Sequence, residues 1–298
     1  MSVSTFDWDD LRFFLAVARA GRLTVAARRL EADHTTVSRR ISALERALKT
    51  KLFERRPQGY TLTERGERLL AKAESMETHA LAVASEVGGS DLALSGTVRI
   101  GAPDGLGTYF LAPELGALVE QHPDLTLQLV ALPRTFSLPK READIAITLE
   151  QPTEGRLVSR KLTDYRLRLY ASRAYLDRHG PIDDPADLAG KTIVSYVPDL
   201  LYSPALDYFS GLEKYTSRRY ECASVVAQLE AVRAGVGVGV LHDYAVRQFP
   251  ELQVVAPTLS FLRTYWLVMH EEVRNLRRVE EVHSFILDRV RAHRGLFL

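Results

Sequence analysis

The chain has 298 residues, 46% hydrophobic and 26% charged, and its 39 Lys and Arg nearly balance 38 Asp and Glu for a net charge of +1. Such a composition holds ample material for packed cores, excludes a disordered tail protein and, at this length, corresponds to about two domains. A single cysteine, Cys222, excludes a disulfide framework within the chain and fits a reducing compartment.

No stretch reaches the roughly 18 consecutive apolar residues of a membrane helix. The short run Phe13 to Ala18 follows Asp7, Asp9 and Asp10, where a secretory signal would carry positive charge. The expectation is a soluble cytoplasmic protein with no membrane partner. Charge is unevenly spread. Between Arg22 and Arg56 stand ten basic residues and four acidic ones, a local excess of six, so the remainder carries −5. A basic block of this kind is the footprint of a phosphate-binding surface.

In chain order, Asp7 caps a helix running to Ala20, with Trp8, Leu11, Phe14, Leu15 and Ala18 at helical spacing and Gly21 as its stop. Thr24 caps a short second helix in which Ala26 and Ala27 permit close approach. Asp33 or His34 opens a third helix with Val37, Ile41, Leu44 and Leu48 on one buried stripe. Thr35, Arg39, Ser42 and Arg46 then face the other way. Two short helices around a tight turn form a helix-turn-helix, whose second helix enters the DNA major groove. Lys51 to Leu62, with Pro57 and Gly59 between short extended runs, reads as a β-wing that brings Arg55 and Arg56 to the DNA backbone.

These residues strongly resemble the DNA-binding domain of LysR-type transcriptional regulators. The match runs through Thr24-x-Ala26-Ala27-x-x-Leu30, Val37-Ser38-Arg39-x-Ile41-x-x-Leu44-Glu45-x-x-Leu48, Leu52-Phe53-x-Arg55 and Leu62-Thr63-x-x-Gly66. Two departures stand out: Asp33-His34-Thr35 replaces the usual Ser-Gln-Pro, and Lys49 replaces a usual Gly. The resemblance implies DNA contacts from Thr24, His34, Thr35, Thr36, Ser38, Arg39, Arg40, Arg55 and Arg56. It also implies partners: double-stranded DNA, a small-molecule effector, a second copy of the chain in a homodimer or homotetramer, and RNA polymerase.

After Thr63, an N-cap, Leu69, Ala73, Met76, Ala80, Val83 and Val87 alternate steps of four and three, a heptad seam in a helix about 36 Å long. The family pairs such helices between subunits, so this seam is the expected dimerisation surface, ending at the hinge Gly88-Gly89-Ser90. Strand-like Val98–Gly101, Leu125–Val130, Ala143–Leu149, Arg166–Ala171 and Arg263–Met269 alternate with helical segments, which predicts an α/β fold.

The complete expectation is an α/β multidomain chain. Residues 1–66 form a winged helix-turn-helix, 67–90 a long linker helix, and 91–298 a periplasmic-binding-protein-like effector domain. By the family analogy, 91–168 and 267–298 form one subdomain and 169–266 the other. The effector would contact Asp104, Gly105, Leu106, Thr148, Ser195, Tyr196, Val197 and Ser224. Ser224 caps a helix whose N-terminus can receive an anion. Family members often carry a hydroxyl residue where Asp104-Gly105 stands.

No metal, cofactor or catalytic group is called for. Gly235-x-Gly237-x-Gly239 lacks the third glycine of a dinucleotide fingerprint and follows a helix instead of opening one. Cys222 reads as a small strand or core residue, with a redox sensor as the alternative. The rival reading of the whole chain is an α/β enzyme with an accessory helix-turn-helix, which would need convergent nucleophile, base and oxyanion groups that the sequence does not show.

Overall fold

The computed structural model describes residues 6–56, 59–88, 94–138, 142–153, 155–274 and 276–298. Its contacts separate the chain into two units, Met1–Leu92 and Ala93–Leu298.

In the first unit, α1 (Asp9–Ala20) starts where the Asp7 carboxylate accepts from the Asp9 N–H at 3.0 Å. It stops at Gly21, whose φ of 63° lets its N–H reach the Val17 carbonyl at 2.8 Å. Phe14 and Val17 of α1 are fully buried, but Trp8 is 66% exposed and packs against Phe6. Trp8 stands at the N-cap, before the helical periodicity begins, so the expected stripe does not include it. The helix α2 (Leu23–Arg29) is capped at Arg22 without a side-chain bond, and Thr24 lies inside it, exposed. Ala26 and Ala27 are buried, as close packing of α2 against its neighbours requires.

Asp33 caps α3 (His34–Ala47) by accepting from the Thr36 N–H at 2.8 Å. Val37, Ile41 and Leu44 are buried in the common core, and Leu48 packs on its margin. The wing is β1 (Phe53–Arg56) paired antiparallel with β2 (Gly59–Leu62). It is stitched to the α1–α2 turn by the Tyr60 N–H, which donates to the Gly21 carbonyl at 2.8 Å. Gly59 makes that approach possible, since a Cβ there would stand 2.2 Å from the Gly21 oxygen. Thr63 caps α4 (Glu64–Gly88) through a 3.0 Å bond from the Gly66 N–H.

The second unit is built on one eight-stranded sheet in the order β4-β3-β5-β10-β6-β9-β7-β8. Its strands are β3 (Gly96–Ala102), β4 (Leu125–Ala131), β5 (Ile145–Thr148), β6 (Leu157–Ser172), β7 (Ile193–Tyr196), β8 (Arg219–Cys222), β9 (Val238–His242) and β10 (Leu252–His270). Parallel pairs β3–β4 and β3–β5 form one end, and β7–β8 and β7–β9 the other.

The predicted strands Arg166–Ala171 and Arg263–Met269 are parts of strands of 16 and 19 residues, β6 and β10, which pair with each other along most of their length. β10 meets β5 at Trp266–Met269, and β6 meets β9 at Leu167–Tyr170, so each long strand serves both ends of the sheet. Around the sheet lie α5 (Asp104–Leu106), a π-helical turn at Gly107–Leu111, α6 (Ala112–Gln121), α7 (Arg173–His179), α8 (Val225–Arg233), α9 (Asp243–Val246), α10 (Arg277–Ala292) and α11 (Arg294–Phe297). The glycine run is explained by packing: a Cβ at Gly237 would lie 2.3 Å from the Thr192 carbonyl oxygen, and one at Gly239 would lie 2.6 Å from a Val232 methyl.

Candidate nucleic-acid interface and ligand cleft

The face of α3 opposite its buried stripe presents His34, Thr35, Arg39, Ser42 and Arg46 to solvent. Arg39 has no ion pair among the described residues, and Arg55 on β1 is equally exposed and unpaired there. Ser38, Ser42, Lys51 and Arg55 border one concavity of about 210 Å³ between α3 and the wing. Glu45, the acid on α3 that could have paired with Arg39, is buried and turned away. It accepts from the Leu52 N–H at 2.9 Å and from Lys51 Nζ at 2.5 Å, bracing the start of the wing.

Four expected DNA contacts are bonded inside the unit. Arg40 donates to Asp7 at 2.8 Å and to the buried Asp10 at 3.1 Å, and its guanidinium lies over the Phe13 ring. The bond to Asp7, then that to Asp10, raises the Arg40 pKa above its ordinary value. Arg40 therefore ties α3 to the start of α1 and is turned away from the exposed face of α3. Spacing could not reveal this, because Asp7 lies 33 residues away. The Thr35 and Thr36 hydroxyls both donate to the Asp33 carboxylate, Thr36 at 2.8 Å. These bonds, the Thr35 hydroxyl first and the Thr36 N–H next, hold Asp33 far below the usual carboxylate range. Arg56 pairs with Glu54 at 2.9 Å, an exposed contact that a phosphate can replace.

On α4, the seam is used in part by its own unit. Leu69 and Met76 pack on the core around Phe14, and Ala73 is 1% exposed within the single chain, so Ala73 is corrected from a partner contact to a core residue. Ala80 is exposed. Val83, Val87, Gly89 and Ser90 lie outside the described side chains.

In the second unit the expected effector residues fall into two groups. Ser195 and Tyr196 line a cavity of about 190 Å³ with Tyr208, Phe209 and Gln228. Asp104, Gly105 and Ser224 meet at the N-terminus of α8. There the Val225 N–H donates to Asp104 Oδ2 at 2.8 Å, and a Cβ at Gly105 would touch Val225 Cγ1 at 3.0 Å. Burial raises the Asp104 pKa, against weaker pulls from the Val226, Val225 and Gly105 N–H groups. Leu106 is fully buried in the core, and the Thr148 hydroxyl is spent on the Glu150 carbonyl at 2.7 Å. Neither Thr148 nor Val197 lines the cavity.

His242-Asp243 also finds its place. His242 is buried and stacked on Tyr165 with centroids 5.3 Å apart, and desolvation depresses its pKa to about 3. Asp243 binds Arg166 at 2.7 Å, Arg168 at 2.9 Å and the Tyr170 hydroxyl at 2.7 Å, an ion cluster drawn together from β6 and α9. Cys222 is half-buried on β8, and burial pushes its thiol pKa up, against the character of a reactive thiolate.

A winged helix-turn-helix joined to an α/β unit that holds a cavity is the architecture of a DNA-binding transcriptional regulator. Residues 8–67 match the model of the bacterial regulatory helix-turn-helix protein, lysR family, and residues 93–291 match the LysR substrate binding domain. The chain belongs to the LysR family, and it is a transcriptional regulator, not an enzyme.

The chain is 28% identical over 288 residues to the Mau operon transcriptional activator of Paracoccus denitrificans, covering 95% of this chain and 96% of that one. It is 29% identical over 294 residues to the HTH-type transcriptional regulator AbaB of Streptomyces antibioticus, covering 93% and 96%. Among solved structures it resembles the probable transcriptional regulator PA0477 of Pseudomonas aeruginosa, with a TM-score of 0.68 at 19% identity over 96% of this chain and 97% of that one. Full-length AphB of Vibrio cholerae gives a TM-score of 0.54 at 22% identity, covering 95% and 99%. Among the described residues no helix is long and apolar enough to cross a membrane.

Proposed function

We propose that this regulator acts in the cytoplasm as a homodimer or homotetramer, reads DNA mainly through Arg39, and changes its DNA affinity when a small molecule enters the second unit. The observation that carries the reading is the contrast between neighbouring arginines on α3. Arg40 is bound by Asp7 and Asp10, whereas Arg39 stands exposed and without an ion pair among the described residues. A free guanidinium near the start of a recognition helix can pair with guanine O6 and N7, worth roughly 1–3 kcal/mol of discrimination. His34 and Ser38 flank it on the same surface, Thr24 adds an exposed hydroxyl on α2, and Arg55 supplies a phosphate contact from the wing. Ser195 and Tyr196 are the effector contacts best supported by position, since they line the cavity in the second unit.

Binding of Arg39→Ala to a panel of single-base operator variants tests the base-reading role. The expected result is a lost preference at one position in each half-site. A uniform loss at every position would leave Arg39 as one more phosphate contact.

A further inference from the structure

The N-terminus of α8 is filled by the chain itself. Asp104 Oδ2 accepts from the Val225 N–H at 2.8 Å and from the Val226 N–H at 3.5 Å. The Ala227 N–H goes to Ser224 Oγ at 3.1 Å, and the Gln228 N–H to the Ser224 carbonyl at 3.0 Å. The three first-turn N–H groups that lack an intrahelical acceptor, those of Val225, Val226 and Ala227, are therefore satisfied, and a carboxylate already sits at the positive end of the helix dipole. An anionic ligand would have to displace Asp104 and then face its charge.

What the surroundings leave open is the opposite kind of site. Asp104 is 4% exposed, and its Oδ1 has no hydrogen-bond partner among the described residues. Tyr196 OH and Ser195 Oγ are also buried without partners there, and both residues line the cavity of about 190 Å³. Gln228, one turn along α8 from Val225, lines the same cavity, while Asp104 caps the first turn of that helix without lining the cavity itself. The charged residues at the cavity are Asp207, Glu213 and Arg219, and Arg219 is engaged by Glu221 at 3.4 Å and by the Phe209 ring. A desolvated carboxylate with a free oxygen, beside phenol rings, favours a positive charge that can donate hydrogen bonds. Consistently, the Asp104 charge adds to burial in raising the pKa of Tyr196, Tyr202 and Tyr244.

We propose that Asp104 is the specificity determinant of this cleft: it occupies the anion position at α8 and selects a small organic cation, an ammonium-bearing molecule, whose N–H donates to Asp104 Oδ1. The proposal rests on the reading of the second unit as effector-binding.

Calorimetric titration of the full chain with benzylamine and benzoate, and with propylamine and propionate, tests it at neutral pH. Each pair has similar size and opposite charge. The wild type is expected to bind the amines at least tenfold more tightly than the matched carboxylates. Asp104→Asn, which keeps an oxygen for α8 but removes the charge, is expected to abolish that preference. Asp104→Ser frees the Val225 and Val226 N–H groups and is expected to take the carboxylates instead. If Asp104→Ser does not fold, the isosteric Asn variant carries the comparison. A wild type that prefers carboxylates overturns the cation assignment and leaves the effector-binding reading standing. A wild type that binds neither class, beside an Asp104→Ser variant that binds carboxylates, overturns the cation assignment in the same way. If neither wild type nor variants bind any of the four probes, both the cation assignment and the effector-binding reading fall.

Discussion

At the residue scale, function and stability divide between adjacent side chains. Replacing Arg40 with Ala leaves the Asp10 carboxylate buried without its partner, so it should lower the melting temperature of the first unit while the base preference of the folded protein stays intact. Thermal unfolding paired with the operator panel separates this outcome from that of Arg39→Ala. Arg55→Ala should instead weaken binding to all DNA about equally and reduce the salt slope by about one, measured by titration at several salt concentrations.

His242 makes a pH prediction. Its pKa falls from 6.5 in the unfolded chain to about 3 when folded, so only the unfolded state takes up a proton between those values. The stability that the neutral imidazole provides is complete above pH 6.5 and is lost as pH falls toward 3. The loss reaches at most about 1.4 kcal/mol per pH unit. Denaturant unfolding of wild type and His242→Phe across that range checks it: the difference between their stabilities should change with this slope. A constant difference would contradict a buried neutral His242.

At the scale of elements, the turn from α3 into the wing carries backbone strain. Lys49 takes φ 51°, a left-handed conformation that suits the glycine usual in this family. Lys49→Gly should therefore stabilise the first unit by about 0.5–1 kcal/mol, the relief of strain exceeding the added freedom of the unfolded chain. Denaturant unfolding followed by Trp8 fluorescence, with Trp266 replaced by Phe, would show the shift.

The helix-turn-helix was legible because its information is local: the stripe from Val37 to Leu44, the Asp33 cap and the Gly21 stop all lie within single helices or their ends. The alternation of strands and helices was legible for the same reason. The extent of β6 was not, because polar residues such as Arg160 and Lys161 occupy its first half and only pairing with β10 holds them in a strand. Likewise Asp104 reads locally as a loop carboxylate, yet its partner lies 121 residues away. Sequence spacing carries no trace of such contacts.

At the scale of the whole molecule, the division of α4 decides where a second copy would dock. Its first half is committed to the core of its own unit, with Ala73 buried and Leu69 and Met76 packed beside it. Leu69→Ala should accordingly lower stability by roughly 1–3 kcal/mol without altering stoichiometry. Ala80→Glu, at an exposed position beyond that half, should shift the assembly toward smaller species in sedimentation equilibrium at micromolar concentration.

The claim that joins these scales is that the first unit reads DNA sequence and not charge alone. Enrichment of binding sites from a pool of random duplexes by the full-length protein tests it most directly. The account predicts an imperfect inverted repeat whose half-sites lie one helical turn, about 10 base pairs, or a multiple of it apart. A pool that stays random while the protein still binds duplex DNA at low salt would contradict it.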